Sequence, residues 1–219
     1  MENMLKIIVI IALFLLIPRW LWGQKTKVKL ALLQAGCEEE RDLSLTALTN
    51  LGRFCNDKLG TDLAKKPALL EVADRKIFDY PFLYIPGNEK IAFTSEEIEN
   101  LRAYLANGGF LYAESKTYPD SALERELKKI VAAEEWSELS LAHPLFHQKY
   151  DFHENMPESN GEGPLRIAGV DTDKGLVLLW ISGYEYGKYW ETPATSAISP
   201  QKIRHALQMG ANIISYALG

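Results

Sequence analysis

The chain has 219 residues, 47% of them hydrophobic and 24% charged, with a formal net charge of −5. That length buries the core of one domain, and an acidic balance without clustered Lys and Arg excludes a nucleic-acid surface. Two cysteines, Cys37 and Cys55, exclude a C-x-x-C redox or zinc motif.

Ile7 to Ile17 is an unbroken apolar run, preceded by Lys6 and followed by Pro18 and Arg19. It has the length of a secretory h-region and falls short of the ~20 residues of a spanning helix. Gly23 is small enough to precede a cleavage point, whereas Leu21 is larger than that region usually carries. Residues 1–24 are therefore read as a signal peptide. If Trp20, Leu21 and Trp22 extend the run, the same segment is an uncleaved membrane tether through Ile7 to Trp22. Both readings place the chain in the periplasm or cell envelope, with residues 25–219 as a single domain. Export permits a Cys37–Cys55 disulfide without requiring one.

Val28 to Gln34 is near-continuously apolar, as parallel strands buried on both faces are. A polar loop with Cys37 and Glu38 to Glu40 follows. Leu45, Leu48, Leu51, Phe54, Cys55 and Leu59 then recur at helical spacing, and Gly60 ends that helix. Ala68 to Val72 and Pro81 to Ile85 read as strands. Thr94 and Glu97 form a capping box ahead of Ile98, Leu101 and Leu105, and Asn107-Gly108-Gly109 closes the helix before the strand Phe110 to Ala113. Ser121 and Glu124 repeat the capping pattern ahead of a helix through Ile130. Its Lys128-Lys129 pair, set among Glu124, Glu126 and Glu134, reads as a solvated face.

His143 to Gly163 reads as a long surface excursion. Leu165 to Val170 and Gly175 to Ile181 read as two strands around a turn at 171–174, so one edge of the sheet is mixed if they form a hairpin. Gly183 to Ser199 is irregular and aromatic-rich, and Ser199-Pro200 opens a last helix. Strands alternating with helices predict an α/β, three-layer α/β/α sandwich with a mostly parallel central sheet. Its ligands are expected at the carboxyl ends of the strands, at Pro86-Gly87-Asn88-Glu89 and Glu114-Ser115-Lys116.

Tyr80-Pro81-Phe82-Leu83-Tyr84 with Gly87, Leu101-Arg102 with Gly108-Gly109-Phe110-Leu111, His143-Pro144-Leu145-Phe146, Trp190-Glu191 and Gly210-Ala211-Asn212-Ile213 resemble a bacterial family, domain of unknown function four-one-five-nine. The resemblance covers nearly the whole of residues 25–219. It implies a flavodoxin-like, class I glutamine-amidotransferase-like fold, similar to trehalose-utilisation domains. Three positions depart from the family pattern. Glu114-Ser115 stands where an acidic pair is common, Gly183 to Lys188 where an Asn-Asp pair often precedes Trp-Glu, and Gln34 to Glu38 where a Gly-rich Asp-Trp segment is usual.

An amidotransferase nucleophile is a Cys on a strained, glycine-flanked turn after a strand. The equivalent place here holds Glu114 and Ser115, with neither Cys nor flanking Gly. Ser115 as nucleophile would need a base, for which His143 and His147 are available. Glu114 is the stronger candidate, as a ligand-contacting carboxylate. Tyr184, Tyr186 and Trp190, with Asn88, suit a carbohydrate ligand or a protein partner of the envelope. The same aromatics would equally pin a loop to the sheet. His143, His147, His153 and Glu154 are metal-type residues, but structural and surface roles explain them better. No metal and no cofactor is expected, and no nucleotide motif occurs. The leading expectation is a non-catalytic binding or assembly module. The alternatives are a hydrolase or sugar-modifying enzyme using Glu114 and His143, and a membrane-anchored scaffold.

Overall fold

A computed structural model of the chain describes residues 27–34, 38–87, 91–153, 156, 163–191 and 198–219. The leader, Cys37, Asn88 and Glu154 lie outside the described residues, and so do the expectations placed on them. The strands are β1 (Leu30–Leu33), β2 (Ala68–Leu70), β3 (Phe82–Pro86), β4 (Phe110–Ser115), β5 (Trp136–Glu138), β6 (Arg166–Thr172) and β7 (Gly175–Ser182). The helices are α1 (Glu38–Leu59), α2 (Ser95–Ala106), α3 (Ala122–Ile130), α4 (Gly187–Glu191) and α5 (Pro200–Leu218). The strands form one seven-stranded sheet in the order β2-β1-β3-β4-β7-β6-β5. It is parallel from β2 through β7, while β6 runs against both of its neighbours. The β6–β7 hairpin therefore makes the mixed edge.

Side-chain alternation divides the interior in two. Leu30, Leu32, Phe82, Tyr84, Phe110 and Tyr112 meet Leu48 and Leu51 of α1, Trp190 of α4 and Met209 of α5. Ala31, Leu33, Leu83, Ile85, Leu111 and Ala113 meet Leu101 and Leu105 of α2 and Leu127 of α3. Both faces of the central strands are thus buried, which is why their sequences run apolar instead of alternating.

Thr94 caps α2 as expected, with its hydroxyl accepting from the Glu97 N–H at 3.2 Å and the Glu97 carboxylate accepting from the Thr94 N–H at 2.7 Å. The second box is half made. Ser121 accepts from the Glu124 N–H at 3.0 Å, but the Glu124 carboxylate accepts from the Asp120 N–H at 2.8 Å instead. Ser199 makes no side-chain cap at all, and α5 starts on Pro200 alone.

Three stretches differ from expectation. The 143–163 excursion is partly core, because Leu145, Phe146 and Phe152 are buried. The 183–199 stretch contains α4, and β5 is a strand too short for its pattern to show. On α3, Lys128 and Lys129 are exposed, as expected of a solvated face, whereas Glu124 and Glu126 beside them are buried and accept from the backbone N–H groups of Asp120 and Phe93.

The rims of β3 and β4 open side by side. Pro86 lies opposite Glu114 in register, and the Gly87 N–H donates to the Glu114 carbonyl at 2.6 Å. A Cβ on Gly87 would sit 2.7 Å from that carbonyl oxygen, so only glycine lets the strands stay so close.

Candidate functional site

Glu114 is the penultimate residue of β4 and is 2% exposed. Its Oε1 accepts from the Tyr84 hydroxyl at 2.6 Å and the Gly187 N–H at 2.8 Å. Its Oε2 accepts from the Tyr112 hydroxyl and from the Tyr186 N–H at 2.8 Å. Four donors satisfy this carboxylate, and β3, β4 and the start of α4 are tied to it. Burial pushes the Glu114 carboxyl up to about 7, against the pull of the hydrogen bonds from Tyr112, Tyr84 and Gly187. A group titrating near neutrality suits a general base. Yet each oxygen is already engaged twice inside the protein, so the arrangement holds three elements together and presents no oxygen to a substrate.

The other candidates are placed as follows. Ser115 is buried, with its Oγ 3.2 Å from both the Ser182 Oγ and the Thr117 carbonyl. No histidine is among these partners. His143 begins the 144–147 turn, where its Nδ1 accepts from the Leu145 N–H at 3.2 Å. Burial pulls its imidazole below the ordinary range, while Asp171 works the other way. Its ring lies 5.4 Å from that of Tyr216, whose hydroxyl accepts from the Leu176 N–H at 3.2 Å. That places His143 by the start of β7, whereas Glu114 pairs with Ile181 near its other end. Five residues at ~3.3 Å each separate these points by about 16 Å. Glu114 and His143 are therefore not brought together as an acid–base pair.

Tyr184, Tyr186 and Trp190 are buried. Trp190 packs 5.9 Å from the rings of both Tyr84 and Tyr112, donates from Nε1 to the Ala206 carbonyl at 2.8 Å, and receives the Asn50 amide on its own carbonyl. These rings pin the segment to the sheet and offer no face to solvent. Among the described residues, one group of three able to ligate a metal lies close together, at His147, Asp151 and His153.

An open cleft lies elsewhere on the sheet, where α3 overhangs β5, β6 and β7. It encloses about 220 Å³ and is lined by Glu124, Leu127, Lys128, Trp136, Arg166 and Trp180. The Arg166 guanidinium stands 5.3 Å from the Tyr118 ring and 5.7 Å from the Trp180 ring, a cation stacked on two aromatics. Its Nε donates to Glu138 at 3.2 Å, and Lys128 pairs with Glu124 at 2.7 Å. Trp136 meets Trp180 edge-on at 6.1 Å. The Trp180 indole N–H is buried with no hydrogen-bond partner among the described residues, a state that buried donors rarely keep. The sequence pattern missed this cleft because its residues come from four separate elements. The signal available was Trp180, a large polar-tipped ring inside an otherwise aliphatic strand.

The geometry defines an α/β protein with a mostly parallel sheet, a sealed carboxylate near a strand end and an aromatic, charged cleft on the sheet's other face. The chain belongs to the family described as domain of unknown function (DUF4159), whose model matches residues 29–218. No curated protein matches it.

Proposed function

We propose that this chain is a non-catalytic binding module of the bacterial cell envelope, a three-layer, flavodoxin-like relative of class I glutamine amidotransferases without amidotransferase chemistry. The observation that carries this reading is Glu114. It stands near the end of the strand after which an amidotransferase would hold its nucleophile, and its oxygens are consumed by Tyr84, Tyr112, Tyr186 and Gly187. Export rests on the apolar run Ile7 to Ile17. Binding is assigned to the cleft of Trp136, Arg166 and Trp180. The half-exposed ring of Trp136, able to stack on the apolar face of a sugar beside charged groups that bond its hydroxyls, favours a carbohydrate. The volume suits one ring at the end of a glycan chain.

The test is an array of bacterial envelope oligosaccharides probed with the purified chain, followed by mass spectrometry of any bound glycan. Retention of a glycan with its mass unchanged is the expected result. A glycan shortened or modified on incubation would replace this reading with an enzymatic one.

A further inference from the structure

The loop from His147 to His153 gathers two imidazoles and a carboxylate around one point. The His147 Nδ1 lies 3.1 Å from the Asp151 Oδ1, the His153 Nε2 lies 4.0 Å from that same oxygen, and the two imidazole centroids are 4.7 Å apart. One ligand atom from each residue falls within 4.8 Å of the others.

The tautomer of His147 gives this geometry its meaning. Its Nε2 lies 2.7 Å from the Leu141 carbonyl, which can only accept, so Nε2 carries the proton. In the neutral ring Nδ1 is then a bare lone pair, and it faces the Asp151 carboxylate, another acceptor. Two acceptors at 3.1 Å repel unless a positive charge stands between or upon them. A backbone carbonyl bonded to the distal ring N–H is also the usual support behind a metal-bound imidazole.

The loop is held before any ion arrives. The buried Asn212 side chain on α5 accepts from the Lys149 and Tyr150 N–H groups, each at 3.0 Å, and donates to the Tyr150 carbonyl at 2.7 Å. The Phe152 N–H donates to the Phe146 carbonyl at 3.1 Å, and both of these rings are buried. The backbone carrying the three groups is thus fastened on both sides of Asp151, as a preorganised site requires.

We propose that His147, Asp151 and His153 form a binding site for a divalent transition metal, with zinc the best match. The ligands are the His147 Nδ1, a carboxylate oxygen of Asp151 and a ring nitrogen of His153, with water in the fourth position. Two imidazoles and one carboxylate suit a borderline cation and not the oxygen-only shell of calcium or magnesium. Tetrahedral zinc places neighbouring ligand atoms about 3.3 Å apart. The 3.1 Å separation already fits. The 4.0 Å one closes by a small swing of His153, whose side chain is 71% exposed.

The experiment uses the full chain, freed of any affinity tag and stripped with chelator. Zinc chloride is titrated calorimetrically, and cobalt(II) is added separately to record its visible spectrum. Asp151→Asn and His153→Gln are the variants, since both side chains are solvent-exposed and their loss leaves the fold intact, checked by circular dichroism. The expected result is one zinc per chain, tetrahedral cobalt bands, and affinity reduced about tenfold or more in each variant. Failure of the wild-type chain to take up zinc would leave only an imidazolium–carboxylate ion pair and overturn the proposal. Equal zinc binding by both variants and the wild type would overturn it too.

Discussion

Tyr84 and Tyr112 lie directly opposite one another in adjacent parallel strands, their rings stacked 5.4 Å apart and both hydroxyls directed onto the carboxylate of Glu114. Neither phenol ionises in this setting. Burial holds each well above its ordinary range, and the Glu114 charge adds to the effect. The two rings are thus fixed donors to one acceptor. Glu114→Gln puts an amide N–H₂ where a backbone N–H of Tyr186 or Gly187 already donates, leaving a buried donor unsatisfied. The expected cost is about 1–3 kcal/mol in urea denaturation. Combined with Tyr112→Phe, the loss is expected to be less than the sum of the single losses, because both variants break one network. Strict additivity would show that the network does not act as a unit.

Glu114 also sets a pH dependence. Its folded-state carboxyl titrates at about 7 against an ordinary value of 4.5. Between those values the native state binds more protons than the unfolded chain, so stability falls as pH rises through the window. The full effect is on the order of 3 kcal/mol. The stability difference between wild type and Glu114→Gln, followed by urea melts from pH 4.5 to 7.5, isolates this slope. A difference that stays constant across the window would remove the titration from Glu114.

Gly187 is required by contact. A Cβ there would run into the Tyr84 hydroxyl and lie 2.5 Å from the Glu114 Oε1. Gly187→Ala is expected to cost about 1–3 kcal/mol through forced displacement of the cage. Thermal denaturation measures it, and an unchanged midpoint would contradict the packing described.

Much of this architecture could be read from the residues. The triplet Phe-Leu-Tyr occurs at 82–84 and again at 110–112. In a parallel pair that repeat brings like residues together, as the register does. Capping at Thr94 and the apolar runs of β1, β3 and β4 were equally legible, since they depend on local pattern. Burial of Tyr184, Tyr186 and Trp190 was not, because exposed and buried aromatic segments share a composition and only the opposing α1 and α5 decide between them. The role of Asn212 was hidden for a similar reason: its partners, Lys149 and Tyr150, lie 63 and 62 residues away.

Cys55 lies on the buried face of α1 as a free thiol, and burial pushes it up to about 12. A thiol that keeps its proton and has no solvent path does not alkylate. Iodoacetamide at pH 8 followed by peptide mapping is expected to leave Cys55 unmodified in the native chain and to label it fully in denaturant. Native labelling at Cys55 would mean that α1 opens readily from the sheet.

The most direct measurement is a calorimetric titration of a glycan retained by the wild-type chain into Trp136→Ala and Glu114→Gln, below the melting temperature of each. On the proposal that the cleft of Trp136, Arg166 and Trp180 binds the glycan while Glu114 frames the fold, Trp136→Ala is expected to weaken binding about tenfold or more. Glu114→Gln is expected to bind as the wild type does. Binding lost in Glu114→Gln and kept in Trp136→Ala would contradict this assignment.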